Sequence, residues 1–333
     1  MTRAFTPQER AARRMSAADT SSGLSPGFVL LGKLVGGHTR VQITRAAEAY
    51  IYLTPWLLGL LIFWIGPVLA SFYFSFTEYD VLSPPRWVGL ANYVKAFTDD
   101  SLFWPSLWRT FQYSFAVVPL GLLGSLFLAV LLNRGLRGTN VYRTMFFIPH
   151  LVPAVATAMV WSWLLNPTVG PINTALRWVG IEGPGWLTRR EWALPSIIIM
   201  NLWSSIGGNG MLIFLAALQG VPQSLLEAAE IDGAGAWPKF RHVTLPMISP
   251  TILFNLVLGV IGSLKVFTSA YVATGGGPQY ATWFYALHLY QHAFQYFRMG
   301  YGSALAWLFA VVLLIFTYLQ MSLSGRWVYY GGE

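Results

Sequence analysis

The sequence predicts an all-α polytopic membrane protein with six transmembrane helices and both termini in the cytoplasm. Of its 333 residues, 55% are hydrophobic and only 10% are charged, whereas soluble domains average about 25% charged residues. So few charges cannot cover a water-facing surface of this size. The 22 Phe, 16 Tyr and 15 Trp residues fit a bilayer, because amphipathic rings settle at its two interfaces.

Long stretches without charge place the six helices. A hydrocarbon core of about 30 Å requires ~20 helical residues to cross it. Apolar stretches of that length predict helices at about 50–76, 111–132, 146–165, 194–217, 250–273 and 303–323. The charge-free stretch 266–297 is not counted as a seventh span, because the glycine-rich run 274–278 breaks its helix.

The orientation follows from the basic residues. The short loop 133–145 carries Arg134, Arg137 and Arg143 and no acidic residue. Lys and Arg are more abundant on this side, which includes both termini, than on the other side. By the positive-inside rule, this side faces the cytoplasm. The net charge of +8 therefore indicates membrane topology rather than nucleic-acid binding.

Three regions are expected along the chain. Residues 1–45 form a cytoplasmic N-terminal tail, 46–325 form the six-helix domain, and 326–333 form a short C-terminal tail. Residues 16–27 are rich in Ser, Ala, Thr, Gly and Pro, which is typical of a flexible segment.

No catalytic residue and no metal site is expected. The absence of cysteine removes disulfides, thiolate metal sites and cysteine nucleophiles. His288 and His292 are four residues apart, but no third ligand is close in sequence, so they are interpreted as packing residues of an aromatic helix. His150, between Pro149 and Pro153, is interpreted as a local helix cap.

The cytoplasmic loop at about 218–249 gives the strongest functional signal. Pro222 and Ser224 predict the start of a helix, with Ser224 as N-cap and Glu227 completing a capping box. Gly233 predicts the end of that helix in a sharp turn. The loop is therefore predicted to be a short, rigid helix–turn–helix, which suits the transmission of force between two bodies.

The loop also carries a longer sequence pattern. From Glu227 to Pro246 it reads Glu-Ala-Ala-x3-Gly-x9-Val-x-Leu-Pro. This resembles the coupling-loop signature of the membrane subunits of binding-protein-dependent ABC importers. Over about 50–325 the chain looks like the first of two paired permeases in the carbohydrate-uptake branch, the maltose or glycerol-phosphate type. Further segments that carry the resemblance are 89–93, 142–144, 147–149, 161–163, 201–203, 244–246 and 274–278.

The resemblance implies a type I importer permease in a bacterial inner membrane. Glu227, Ala228, Ala229 and Gly233 would form the helix that docks into a cleft on a cytoplasmic ATPase. The implied partners are a second permease subunit, two copies of the ATPase, and a periplasmic or lipid-anchored solute-binding protein. Mg-ATP would bind to the ATPase and this chain would carry no cofactor, since it contains no G-x-x-x-x-G-K-[ST] phosphate loop.

Polar residues inside the predicted spans mark a candidate solute pathway. Asn201, Ser205 and Asn209 lie at i, i+4 and i+8 and so share one helical face. Asn255 and Gly262 lie near one face of the next span. Amides and hydroxyls suit a hydroxyl-rich solute, although small and amide residues also pack membrane helices against each other.

Lys265 is the only formal charge within a predicted span. It either snorkels towards the outer interface or contacts an anionic or polar solute. Both interpretations stay open at this point.

The alternative function is a self-contained secondary transporter or channel for a polar solute. Proton-coupled carriers need buried carboxylates near the midplane, and none of the predicted spans contains Asp or Glu. Sodium coordination by carbonyl groups is compatible with the sequence. A membrane enzyme acting on lipid-linked sugars would need a carboxylate or metal cluster at an interface, and the sequence suggests none.

Overall fold

The computed structural model describes residues 40–135 and 137–329, with only the backbone for 40–47. The described chain forms two units: the first ends at Ser71 and the second starts at Phe72. Most of the predicted N-terminal tail, and residues 330–333 of the C-terminal tail, lie outside the described residues. Residues 40–45 of the predicted tail are helical, because a helix begins at Arg40.

The prediction of an all-α membrane protein is confirmed. Among the described residues, four helices are long and apolar enough to cross a membrane: Glu48–Ser75, Phe103–Leu132, Ser249–Ala273 and Met299–Ser324. Two bent helix pairs pass the same test when each pair is taken together: Thr139–Leu151 with Ala154–Leu164, bent by 94°, and Arg190–Ser205 with Asn209–Gln219, bent by 46°. If each bent pair is counted as one span, numbering in chain order gives spans 1 to 6, which coincide with the six predicted spans.

The remaining elements are short. Helix Arg40–Leu60 runs into span 1, where the π-helical turn Leu61–Ile65 and helix Gly66–Ser75 follow it. Span 5 consists of helices Ser249–Leu264 and Thr268–Ala273. The loop after span 4 contains helices Gln223–Ile231, Ala236–Lys239 and Leu245–Met247 and the π-helical turn Phe240–Thr244. The other elements are strands Thr77–Glu78 and Arg86–Trp87, helices Ala91–Thr98, Pro171–Trp178 and Tyr285–Tyr290, and the π-helical turn Gln291–Gln295.

The two strands pair antiparallel, with Thr77 opposite Trp87. The helix that follows them is tied to the end of span 1 by Asn92. Its amide nitrogen donates hydrogen bonds to the carbonyl oxygens of Ser75 at 3.0 Å and Thr77 at 2.8 Å. The motif at 89–93 therefore fixes the first outer loop against the residues that leave span 1.

Span 4 breaks at 206–208 because its glycines allow a close helix approach. A Cβ atom on Gly207 would collide with the carbonyl oxygen of Phe146 in span 3. The carbonyl of Ile206 lies in the break and accepts a hydrogen bond from Ser125 Oγ of span 2 at 2.9 Å. A carbonyl released from a membrane helix needs such a partner, because no bulk water is present in the bilayer core.

Span 3 breaks at Val152 and Pro153. Both residues are extended, with ψ near 130° at Val152 and 137° at Pro153. Proline lacks the N–H that would continue the helix, so the second half starts anew at Ala154.

Three buried apolar clusters hold the second unit together, and span 2 contributes to each of them. The first contains Phe103 of span 2 with Leu264 and Leu305. The second contains Ala129 of span 2 with side chains of span 4, and the third contains Tyr113 of span 2. Span 2 is therefore the central helix against which spans 3 to 6 are arranged.

Candidate functional site

A cavity of about 480 Å³, with apolar as well as polar side chains in its wall, lies between spans 2, 3, 4 and 5. Five of the predicted pathway residues line it: Asn201, Ser205, Asn209, Asn255 and Gly262. The break in span 4 separates Ser205 from Asn209, so the straight helical face that the spacing predicted does not exist there. Both residues nevertheless reach the same cavity.

The amides in this cavity are only partly used by the protein. The Asn201 amide nitrogen donates to the Ile197 carbonyl at 2.8 Å and to Ser269 Oγ at 3.1 Å. The Asn255 amide nitrogen donates to the Thr251 carbonyl at 3.1 Å. No donor in the described part of the chain reaches either Oδ1 atom, so both amides offer an acceptor to a bound molecule.

Lys265 does not line this cavity. It is exposed and lies at the C-terminal end of helix Ser249–Leu264, where span 5 breaks. This position favours the snorkelling interpretation over a contact with the solute.

A second cavity of about 400 Å³ adjoins the first. The two cavities share five lining residues: Tyr113, His150, Asn201, Ser204 and Gly262. Neither lining includes Asp, Glu, Lys or Arg. Recognition in these cavities would therefore depend on hydroxyl, amide, imidazole and backbone groups.

Sequence reasoning missed the contributions of spans 2 and 3 to these cavities. His150, interpreted as a helix cap, lines both of them. Tyr113 and Ser125 of span 2 line the first cavity as well. Their signal was available, since both are polar positions in an otherwise apolar stretch, but no spacing rule linked them to span 4.

The cytoplasmic loop forms the predicted helix–turn–helix, but its first helix starts differently. The helix begins at Gln223 after Pro222 as N-cap, and no side chain forms a cap hydrogen bond. The predicted capping box of Ser224 and Glu227 is therefore wrong. Pro222, with its φ of −59°, already sets the entry into the helix, so Ser224 lies inside its first turn.

The predicted turn at Gly233 is confirmed. Its φ of +75° lies in the left-handed region, which glycine enters without a steric penalty. The N–H of Gly233 donates to the Glu230 carbonyl at 3.0 Å, and the N–H of Ala234 donates to the Ala229 carbonyl at 2.9 Å. These two bonds form a Schellman motif that closes the helix and fixes the direction of the chain after it.

The loop helix exposes both apolar and acidic groups. Ile231 is 88% exposed, and Glu227 and Ala228 are also exposed. Glu230 forms an ion pair with Lys239, whereas Glu227 has no hydrogen bond or ion pair to any residue that the structure describes. Exposed apolar groups next to an unpaired charge are typical of a protein-binding surface.

A third feature is a buried carboxylate on the side predicted to face outward. Asp100 Oδ2 accepts hydrogen bonds from the Tyr301 hydroxyl at 2.5 Å and from His288 Nε2 at 2.8 Å. Its Oδ1 accepts from the Leu102 N–H at 3.0 Å. His292 Nε2 lies 3.6 Å from Oδ2. The third group beside the two histidines thus comes from a residue that is distant in sequence, which the spacing argument could not find.

Trp283 determines the protonation of His288. Its indole N–H donates to His288 Nδ1 at 3.1 Å, and an indole nitrogen is a donor only. Nδ1 therefore carries no hydrogen, and the hydrogen on Nε2 points at Asp100. A metal ion on Nε2 would move that hydrogen to Nδ1, against the Trp283 N–H. Asp100, Trp283, His288 and Tyr301 thus form a hydrogen-bonded unit, the Asp100 clamp.

The charge state of the clamp follows from its surroundings. Burial alone would raise the pKa of Asp100, but the hydrogen bonds from Tyr301, Leu102 and His288 and the charge interaction with His288 outweigh it, so this pKa lies below its ordinary value. Burial lowers the pKa of His288 in spite of Asp100. Burial and the neighbouring His288 lower the pKa of His292 to about 4. At neutral pH the clamp holds one carboxylate beside two neutral imidazoles.

A family model described as binding-protein-dependent transport system inner membrane component matches residues 118–329. The chain belongs to this family. Its members are non-catalytic permease subunits of ABC transporters, and the ATPase is a separate subunit. The family that the sequence motifs indicated is thereby confirmed.

Individual relatives agree with this assignment. Over 285 residues the chain is 41% identical to the probable ABC transporter permease protein YesP of Bacillus subtilis, covering 84% of this chain and 91% of the relative. Over 290 residues it is 34% identical to the trehalose/maltose transport system permease protein MalF of Thermococcus litoralis, covering 86% and 96%.

A solved structure supports the type I permease fold. This is a bacterial ABC transporter involved in the import of the acidic polysaccharide alginate, with a TM-score of 0.76 at 26% identity. The match covers 85% of this chain and 97% of the other. The predicted fold class is confirmed.

Proposed function

We propose that this chain is one permease half of an ATP-driven importer for an oligosaccharide or a related polar solute in the bacterial cytoplasmic membrane. The observation that carries the proposal is the cavity between spans 2 to 5, which has amide and hydroxyl groups in its wall and lies inside the fold of an ABC permease. Its amide and hydroxyl lining matches the chemistry of a hydroxyl-rich solute. Relatives are named for trehalose and maltose, for sn-glycerol 3-phosphate and for arabinooligosaccharides.

The loop helix Gln223–Ile231 couples this cavity to a partner ATPase in the proposal. Glu227, Ala228 and Ala229 present the docking surface, and Gly233 fixes the angle at which the second helix leads into span 5. Two features support this role: Glu227 has no partner within the described chain, and the Schellman motif makes the helix end rigid. A rigid lever can transmit a movement of the ATPase to the spans.

The complete transporter contains a second permease, two ATPase subunits and a solute-binding protein. Binding of ATP brings the two ATPase subunits together, and the loop helices follow, so that the cavity opens outward to receive the solute. A solved alginate transporter is described in complex with an alginate pentasaccharide-bound periplasmic protein, which supports this set of partners.

The proposal is tested with the purified four-component complex in proteoliposomes. The binding protein is loaded in turn with maltose, trehalose, an arabinooligosaccharide, an alginate pentasaccharide or sn-glycerol 3-phosphate, and ATP hydrolysis and uptake are measured. At least one solute should raise both. If this chain alone, without an ATPase, accumulates the solute against its gradient, the result would instead support the alternative function, a self-contained secondary transporter.

The coupling role is tested separately with Glu227→Lys. Reversing this exposed charge should abolish the stimulation of ATP hydrolysis, while the spans still insert and the protein still purifies. Glu182→Lys is the matched control, because Glu182 is exposed in the loop on the opposite side. Wild-type stimulation in Glu227→Lys would contradict the docking surface.

A further inference from the structure

A further cavity, of about 610 Å³, lies on the side predicted to face outward and shares no lining residue with the two cavities between the spans. Its wall combines the strand pair at 77–87, helix Ala91–Thr98 and the start of span 6. Gly300 holds span 6 against the strands, because its N–H donates to the Tyr79 carbonyl at 3.0 Å and a Cβ atom on it would collide with the Thr77 carbonyl oxygen. The cavity is therefore part of the packed structure.

Two basic side chains in this wall have no anionic partner within the described chain. Lys95 and Arg298 both line the cavity, and neither side chain forms a hydrogen bond or an ion pair with a described residue. The other charged groups of the wall are already paired. Arg86 forms an ion pair with Glu78, and both oxygens of Asp80 accept hydrogen bonds from the same loop. The cavity therefore offers two positive charges to a bound molecule.

The two basic groups suit a phosphate. Lys95 Nζ lies 5.2 Å from the centre of the Tyr301 ring, a cation–π contact that still leaves N–H donors for a ligand. Arg298 is exposed and directly precedes span 6. A planar guanidinium binds two phosphate oxygens at once, and an ammonium adds a point charge beside it.

The position of the wall along the chain places the cavity at the membrane surface. Span 1 ends at Ser75 and span 6 begins at Met299. Glu78 follows the first of these ends by three residues, and Arg298 directly precedes the second. Trp87, in the second strand, is exposed at the same level, as is typical of the aromatic belt at a membrane surface. The cavity thus lies where both spans leave the hydrocarbon core.

The helix in this wall is amphipathic. Leu90, Val94 and Phe97 are exposed and lie at i, i+4 and i+7, so they form one apolar face. Asn92 and Lys95, on the other side of the helix, line the cavity. Such a helix lies in the membrane interface, with its apolar face about 5–10 Å into the boundary between headgroups and acyl chains. Its cavity-lining side is then at the depth of the lipid phosphates.

We propose that this cavity binds the phosphate of a phospholipid from the outer leaflet, with Lys95 and Arg298 as its ligands. Basic pockets beside membrane helices bind lipid headgroups in this way. Asn92 supplies a further contact. Its amide nitrogen is used by the carbonyls of Ser75 and Thr77, but its Oδ1 has no donor within the described chain and can accept from a headgroup hydroxyl or amine. The bound lipid joins the strands, the helix and span 6 at one point, whatever solute is transported.

The test is native mass spectrometry of the complete transporter, reconstituted into vesicles of phosphatidylglycerol and phosphatidylethanolamine and then extracted into detergent. The wild type should retain a phospholipid whose occupancy falls at least about tenfold in Lys95→Gln/Arg298→Gln, because charge-assisted contacts to the phosphate are lost. Lys95→Arg/Arg298→Lys keeps both charges and should retain the lipid.

The matched control is Arg189→Gln/Arg190→Gln. It removes the same charge from the same side of the membrane, and both residues are exposed and line none of the three cavities. Because Lys95 also contacts Tyr301, Arg298→Gln alone provides the comparison without disturbing the Asp100 clamp. It should lower the occupancy about tenfold, and it decides the question if the double variant fails to assemble.

Three results would overturn the proposal. The first is equal lipid retention in Arg298→Gln and in the control. The second is binding of inorganic phosphate as tight as that of the phospholipid, which would assign the cavity to a free anion. The third is unchanged lipid retention together with weaker binding of the solute-binding protein, which would make Lys95 and Arg298 contacts to that protein instead.

Discussion

Replacing Asp100 with asparagine should destabilise the outer ends of spans 2 and 6. Asp100 precedes span 2, Tyr301 lies in the first turn of span 6, and His288 belongs to helix Tyr285–Tyr290. The carboxylate therefore joins three segments that are separate in sequence. Its side chain is only 10% exposed, so water does not substitute for the lost bonds.

The size of the effect follows from the hydrogen-bond pattern. The new amide keeps one oxygen, which still accepts from the Leu102 N–H. Its NH2 group faces the Nε2–H of His288, donor against donor, and Trp283 prevents His288 from changing its tautomer. Hydrogen bonds to a charged group contribute about 1.5–3 kcal/mol each, and Tyr301 recovers roughly 1 kcal/mol by reversing its hydroxyl. We expect a loss of about 2–5 kcal/mol in the free energy of unfolding.

The assay is thermal unfolding of the detergent-solubilised complex, with Asp99→Asn as the matched control. Asp99 is the neighbouring residue and carries the same charge, but it is exposed, so its replacement should change stability by less than about 0.5 kcal/mol. A melting temperature for Asp100→Asn equal to that of Asp99→Asn would refute the clamp. Adding Trp283→Phe to Asp100→Asn should restore part of the loss, because His288 can then accept through Nε2.

The remaining predictions concern glycines and pH. Gly207→Ala should impair assembly, because the new Cβ atom collides with the Phe146 carbonyl oxygen. The defect should appear as aggregation in size-exclusion chromatography. Gly59→Ala is the control and should not aggregate, because the space around Gly59 is open. Gly233→Ala should cost the loop about 1 kcal/mol and reduce ATPase stimulation, because alanine is strained at a positive φ; normal stimulation would contradict this. Because the pKa of Asp100 is lowered in the folded protein from 3.8, its stabilisation is complete above that value and is lost as the pH falls through the lower folded pKa. The stability difference between wild type and Asp100→Asn should therefore shrink as the pH falls below that value.

The spans and the loop were predictable because their signals are local. Long stretches without charged residues indicate membrane-spanning segments directly. Gly233 indicates its turn because glycine is favoured at a positive φ. The capping box was a local signal that failed, since Pro222 and Ser224 competed for the same role and the proline set the helix entry two residues earlier.

The cavity walls were less predictable because they combine residues of four spans. Periodicity found Asn201 and Ser205 on one face of span 4, but it treated that span as straight. It could not place His150 beside Gly208, since nothing in either stretch encodes their contact. The Asp100 clamp was missed for the same reason: Asp100 and His288 are joined by tertiary packing alone.

Helix breaks, more than polar residues, decide where the cavities lie. Span 3 breaks at Val152, span 4 at 206–208 and span 5 at 265–267, and residues at or beside each break line one of the two cavities. Broken membrane helices are tolerated where their backbone faces protein or a water-filled space. The three neighbouring breaks therefore lie beside the cavities, where their backbone groups can be satisfied. Span 2, unbroken and present in all three apolar clusters, forms the fixed wall. Movement of the loop helix would therefore change the cavity through bends that already exist in spans 3 to 5, without unpacking the helices on either side of them.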